Sequence, residues 1–162
     1  FSAALAAAAT TIGYRVTVCD PRSLFATPER FPGVELVVQW PTGWLEREIS
    51  TGSITDDTAI CVLSHDARFD AELIALALAS PAGYVGAMGS RNTHDRRVAS
   101  LAERGVNDLT RLHSPIGLDL GVSTPAETAI SILAEVLAAR SHSSASPLRS
   151  TSGAIHGARV RA

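Results

Sequence analysis

At 162 residues, with 14 Lys and Arg against 16 Asp and Glu, the chain has the size of one domain. Its near balance of charge gives it no field to draw nucleic acid or an anionic membrane. Hydrophobic residues make up 46% of it but aromatics only 5%, which suits small-residue packing of helices on a sheet. No apolar run reaches membrane-spanning length, and with no stretch that reads as a charged-then-apolar leader the expected setting is the cytoplasm. Cys19 and Cys61 lie in apolar runs and form no CxxC pair, the pattern of buried free thiols in a reducing compartment.

Residues 1–12 predict a helix, with Phe1, Leu5, Ala8, Ala9 and Ile12 on one face and Gly13 as its stop. A parallel α/β unit opens with a strand and a Gly-rich turn ahead of such a helix. The numbered chain is therefore expected to start inside the fold, with that first strand upstream. Residues 14–19 (YRVTVC) predict a strand that ends in Asp20-Pro21-Arg22. Asp20 stands where an acid can bond a ribose hydroxyl, or else it only organises the turn before Pro21. An irregular loop over 23–33 precedes a short strand over 34–38. Residues 41–49 predict a helix, with Trp44 and Leu45 inward and Glu46, Arg47 and Glu48 in solvent.

Residues 58–63 (TAICVL) form an uninterrupted apolar run, as in the middle of a parallel sheet, and lead into Ser64-His65-Asp66. The next helix offers Phe69, Leu73, Ile74, Leu76 and Leu78 to the core. Residues 83–86 predict a further strand, which delivers YVGAMGSRNTH over 84–94. Gly86 and Gly89 permit close backbone approach, and Ser90, Asn92 and Thr93 are all cap residues for a helix reaching about Arg104. Its apolar stripe is Val98, Leu101 and Ala102, with Gly105 after it. A helix starting in this way points free N–H groups and about half a positive charge at whatever sits above the turn. Arg91 adds a forked cation suited to phosphate or carboxylate. The same strand–Gly–helix corner also turns chains that bind nothing.

Residues 112–121 (LHSPIGLDLG) predict a functional loop, punctuated by glycine and proline. Thr124-Pro125-Ala126-Glu127 has capping-box spacing with Pro at the first helical position. The last helix is expected to about Ala139, broadly buried through Ala129, Ile130, Ile132, Leu133, Val136 and Leu137. Glu127, Ser131 and Glu135, at four-residue intervals, read as its solvated or partner-facing side. The domain thus spans 1–140, and the serine-rich stretch 141–162 reads as a mobile tail.

Alternating strands and helices give the class: a doubly wound, Rossmann-like parallel sheet with helices on both faces. Ligands in such folds sit beyond the carboxyl ends of the strands. That edge collects Asp20, His65, Asp66, the turn over 86–91, His113 and Asp119. His65, His94 and His113 lack metal-ligand spacing. Ser64, His65 and Asp66, adjacent on an extended strand end, point in different directions, unlike a working triad. Nothing marks either cysteine as a nucleophile. The residues indicate binding and no recognisable catalytic set.

Three segments carry a resemblance: LSHDARFD at 63–70, YVGAMGSRNTH at 84–94, and HSPIGLDLG followed by TPAETAISILAE over 113–135. Together they resemble the xanthine dehydrogenase accessory protein family, XdhC/CoxI, in its C-terminal Rossmann-type domain from about Gly13 to Ala139. The resemblance implies a carrier that binds the molybdopterin form of the molybdenum cofactor. It also implies cofactor sulfuration with a cysteine desulfurase, and delivery to xanthine dehydrogenase or a related molybdenum hydroxylase. Carried over by motif position, His65, Asp66, Gly86, Gly89, Ser90, Arg91 and His94 form the pocket wall. Pro115, Ile116, Gly117 and Asp119 close it, and Asp20 matches the family's DPR segment. A homodimer is expected. Two other readings stand beside this one: an NAD(P)-dependent oxidoreductase with a GxGxxG turn upstream, and a non-catalytic domain for dimerisation or partner contact.

Overall fold

The computed structural model describes residues 1–64, 70–121, 123–152 and 155. Along the chain, α1 (Ser2–Thr11), β1 (Thr17–Cys19), β2 (Glu35–Val37), α2 (Pro41–Ser50) and β3 (Ala59–Val62) come first. Then follow α3 (Asp70–Ala79), β4 (Tyr84–Ala87), α4 (Arg91–Glu103), β5 (Leu112–His113) and α5 (Pro125–Ser141). Every strand pairing is parallel. β1 pairs with β2, and β4 lies between β3 and β5 with Ala59 opposite Tyr84 and Gly86 opposite His113. Among the described residues the two sheets share no ladder.

Strand alternation divides the core. Tyr84 and Cys61 face a layer of α1 and α5, where Leu5, Ala9, Ala129, Ile132, Leu133 and Val136 pack. Val85, Ala87 and Val62 face the opposite layer, with Leu45 of α2, Leu73, Ile74, Ala77 and Leu78 of α3, and Leu101 of α4. Helices therefore cover both faces of a Rossmann-type parallel sheet, as the alternating sequence pattern predicts. Each fully buried Leu or Ile is worth about 1.5–3 kcal/mol.

Helix ends follow local chemistry. Gly13 (φ 91°) and Gly105 (φ 78°) take the left-handed residue that terminates α1 and α4. In both helices the amide that follows bonds back to the last turn, Tyr14 to the Ala9 carbonyl at 3.1 Å and Val106 to Leu101 at 3.0 Å. Thr124 and Glu127 form the expected capping box at α5.

The apolar stripes were less legible. Phe1 and Ile12 are half or more exposed, and Leu5, Ala6 and Ala9 supply the buried face of α1. Trp44 is half-buried, and Pro41, Thr42 and Leu45 form α2's buried side. Ala102 is exposed, and the buried partner of Leu101 on α4 is Arg97. Ile130 is 60% exposed and Leu137 37%. The inward side of α5 is instead Ala129, Ser131, Ile132, Leu133 and Val136. β5 occupies the start of the stretch expected to be loop, and Phe69 lies outside the described residues. After α5 the described residues are exposed, with one 3-10 turn at Leu148–Ser150.

Candidate functional site

β4 runs out at Ala87, and the chain turns through Met88 and Gly89 into α4. Gly89 has φ 156°, and a Cβ on it would stand 2.9 Å from Cβ and Cγ2 of Thr93. Only glycine lets the turn close this tightly. Ser90 is the cap: its Oγ accepts the Thr93 amide at 3.2 Å, and its carbonyl accepts the His94 amide at 2.9 Å. The amides of Arg91 and Asn92, in the first turn, donate to no partner among the described residues. Arg91 is exposed and has no ion-pair partner among them. The corner thus offers free donors and a cation where the helix dipole is positive.

Opposite stands the segment after β5, and a groove of about 550 Å³ opens between the two. Gly89, Ser90, Arg91 and Asn92 line one wall; Pro115, Gly117, Leu118 and Asp119 line the other. Its volume lies in the range of small-molecule sites.

The far wall is strapped down residue by residue. The Ile116 amide donates to the Ala87 carbonyl at 3.1 Å, and the Gly117 amide to Glu135 Oε2 at 2.8 Å. The Leu118 amide reaches the Ser131 carbonyl at 3.3 Å, and Ser131 Oγ returns a bond to the Leu118 carbonyl at 2.6 Å. Gly117 has φ 101°, and a Cβ there would meet Ser131 Oγ at 2.6 Å. Three consecutive amides are therefore spent internally. An anion in this groove finds free amides at Arg91 and Asn92 on the α4 side.

Glu135, on the side of α5 expected to face solvent or a partner, is the anchor of that wall. Besides Gly117, it accepts the Tyr84 hydroxyl at 2.7 Å, and its Oε1 lies 3.3 Å from His113 Nδ1. His113 stacks on Tyr84 with ring centroids 4.4 Å apart. Burial pushes against ionisation of Glu135, but the bonds from His113, Tyr84 and the Gly117 amide outweigh it and hold the carboxyl below its usual range. Burial, then the Glu135 carboxylate, drives the Tyr84 phenol upward.

Of the residues the sequence singled out, Gly89, Ser90, Arg91, Pro115, Gly117 and Asp119 come together around one groove. Gly86 lies beneath, buried, where a Cβ would stand 2.6 Å from Ile116 Cγ1 and 2.8 Å from Tyr84 Cε1; it seats Ile116. His94 is half-buried, one turn into α4, and its Nδ1 has no partner among the described residues. Asp20 is held in its own turn: Oδ1 accepts the Arg22 backbone amide and Nε, each at 2.9 Å, and Oδ2 accepts Nη2 at 2.8 Å. Those bonds from the Arg22 side chain, foremost, keep its carboxyl below the usual range. His65 and Asp66 lie outside the described residues. Both cysteines are free, and burial pushes Cys19 up to about 11 and Cys61 to about 12. Neither is a thiolate at neutral pH.

Sequence reasoning missed Arg97 as well as Glu135. Its guanidinium, buried below the corner, donates to Asp70 Oδ2 from Nη2 at 2.7 Å, to Ser114 Oγ at 2.9 Å and to the Met88 carbonyl at 3.1 Å. One side chain thereby ties α3, the end of β4 and the start of the far wall to α4.

The family model described as the XdhC Rossmann domain matches residues 1–136. Similar curated proteins include a probable xanthine dehydrogenase subunit of Bacillus subtilis, 28% identical over 136 residues, 84% of this chain and 39% of that protein. "Molybdenum cofactor insertion chaperone PaoD" of Escherichia coli is 32% identical over 95 residues, 57% of this chain and 30% of that one. "Uncharacterized protein YqeB" of Escherichia coli is 28% identical over 136 residues, 83% of this chain and 24% of its own length. The chain thus spans well under half of each. A crystal structure described as a xanthine dehydrogenase from Bacillus halodurans superposes with a TM-score of 0.74 at 26% identity, covering 90% of this chain and 41% of that one. On the family match, which runs from the first helix well into the last, the chain belongs to the XdhC family and carries its Rossmann domain.

Proposed function

We propose that this domain holds the molybdopterin form of the molybdenum cofactor for an accessory protein that serves xanthine dehydrogenase-type molybdenum hydroxylases. The observation that carries the proposal is the groove itself, whose α4 wall has unspent amides and an Arg91 with no ion-pair partner among the described residues. A phosphorylated pterin has the chemistry to fill it: its phosphate takes the α4 amides and the guanidinium, and its ring lies along the far wall. The names carried by PaoD and by the Bacillus subtilis relative support the same reading. Within this proposal the protein is a cytoplasmic carrier rather than an enzyme, works as a homodimer, and meets a cysteine desulfurase and the recipient hydroxylase.

The NAD(P) reading is weaker on a specific observation. Asp20, the acid at the ribose position, has both oxygens engaged by Arg22, so a dinucleotide would have to displace that pair.

The test is cofactor retention by the full-length protein purified from cells that make molybdopterin. Arg91→Ala is expected to lower retained cofactor about tenfold, the loss of one charge-assisted contact. Equal retention by the variant overturns the site, and calorimetric binding of NAD or NADP without molybdopterin would favour the oxidoreductase.

A further inference from the structure

We propose that Glu135 is the positioning residue of the groove: its carboxylate sets the far wall, and with it the fit of the pterin end of the ligand. The inference rests on the molybdopterin reading but concerns a residue deep in α5 that lines no part of the groove.

The argument starts from connectivity. The segment 115–119 leaves the sheet at His113 and must cross above α5 before the capping box at Thr124. Gly117 is at its centre. The left-handed backbone there turns the amide inward, and Glu135 Oε2 receives it at 2.8 Å. The same oxygen takes the Tyr84 hydroxyl from the central strand β4 at 2.7 Å. Glu135 therefore fixes the loop relative to the strand whose end carries the opposite wall. Tyr84, Gly86, Gly89 and Ser90 lie within seven consecutive residues, so this carboxylate joins the middle of the far wall to the segment that carries the near one, alongside the Arg97 bridge from Met88 to Ser114. The tethers on either side, Ile116 to Ala87 and Leu118 to Ser131, hold the loop down but do not fix the turn at Gly117. With three bonds to one carboxylate, only the ionised form accepts all of them at full strength.

A structural role alone would lower stability without changing what the groove prefers. A positioning role separates the two ends of the ligand. Phosphate meets Arg91 and the α4 amides, which Glu135 does not touch; the ring meets the wall that it does. Glu135→Gln keeps the shape and weakens the anchor.

The experiment uses the full-length protein and two probes, molybdopterin and inorganic phosphate. Glu135→Gln is expected to weaken molybdopterin binding about tenfold while phosphate affinity stays at the wild-type value. In wild type, the Gly117 amide proton shift is expected to follow the ionisation of Glu135, and in Glu135→Gln that step disappears. Among the described residues, the other titratable groups facing this carboxylate are His113 on β5, Tyr84 on β4 and Cys61 on β3; Tyr84→Phe and Cys61→Ala leave the step in place. Should Glu135→Gln fail to fold, Glu135→Asp, which keeps the charge but withdraws it, is expected to show the same split between probes. Wild-type affinity for molybdopterin in a folded variant overturns the proposal, as does equal weakening of both probes. Failure of the wild-type protein to bind molybdopterin overturns instead the function on which it rests.

Discussion

Arg97 and Asp70 form a buried ion pair at 2.7 Å, with the arginine side chain 2% exposed and the aspartate 12%. The pair joins α4 to the first residue of α3, and Ser114 and the Met88 carbonyl complete the arginine's shell. Removing the cation leaves a carboxylate stranded in low dielectric. Arg97→Leu is expected to cost about 3–5 kcal/mol, against well under that for Arg97→Leu combined with Asp70→Leu. Urea unfolding of the four proteins of that cycle measures the difference; additive losses would show that the pair does not couple.

Gly86 on β4 leads to a second prediction. Its missing Cβ is the seat of Ile116, whose Cγ1 would stand 2.6 Å from it, with Tyr84 Cε1 at 2.8 Å. Gly86→Ala is expected to destabilise the protein by about 1–3 kcal/mol through overpacking. Adding Ile116→Ala should restore part of that, because the clash is with a side chain and not with backbone. Thermal unfolding of the single and double variants decides it, and a double variant worse than the sum of the two single losses would refute the seating role.

Much of the fold could be read from local pattern: the apolar run over 58–63 that contains β3, the helix stops at Gly13 and Gly105, the cap pair Thr124 and Glu127. Each is decided within a few residues of itself. Glu135 was misread for the opposite reason. Its i−4 and i−8 neighbours are Ser131 and Glu127, so the helix wheel shows a polar side, and only a loop 18 residues earlier makes part of that side an interior. Arg97 stood in a run of charges, RNTHDRR, and its partner Asp70 is 27 residues away. Ile130 and Leu137 show the converse: apolar at helical spacing, yet exposed, because α5 spends its inward face on smaller residues and Ser131. The groove was legible as a corner and a loop. What fixes their separation was not, since it is made of long-range polar contacts that leave no periodicity.

The capping box at α5 gives a third prediction. Thr124 Oγ1 accepts the Glu127 amide at 3.3 Å, and Glu127 Oε2 accepts the Thr124 amide at 3.0 Å. Because α5 carries Ser131 and Glu135 to the far wall, fraying at its start loosens the site. Thr124→Ala is expected to cost about 1 kcal/mol, read as a lowered urea midpoint, and Thr124→Ser to recover most of it. A Thr124→Ala protein as stable as wild type would show that the helix start is held elsewhere.

The last prediction concerns acid. Glu135 titrates below its ordinary value in the folded protein, because the bonds from His113, Tyr84 and Gly117 outweigh a burial that works the other way. Its unfolded value is about 4.3. A depressed folded value means that the unfolded state binds the proton first as pH falls. The stabilisation is therefore complete above about pH 5 and is lost as pH falls through the folded value. Asp20 and Glu127 are lowered too, so wild type alone shows a composite slope. Comparison with Glu135→Gln isolates the one group, since Asp20 and Glu127 titrate alike in both proteins. Urea midpoints measured from pH 7 to pH 3 should differ most at neutrality and converge in acid. Parallel curves would mean that the carboxylate charge contributes nothing to holding Gly117, and that the three bonds serve an uncharged acceptor equally well.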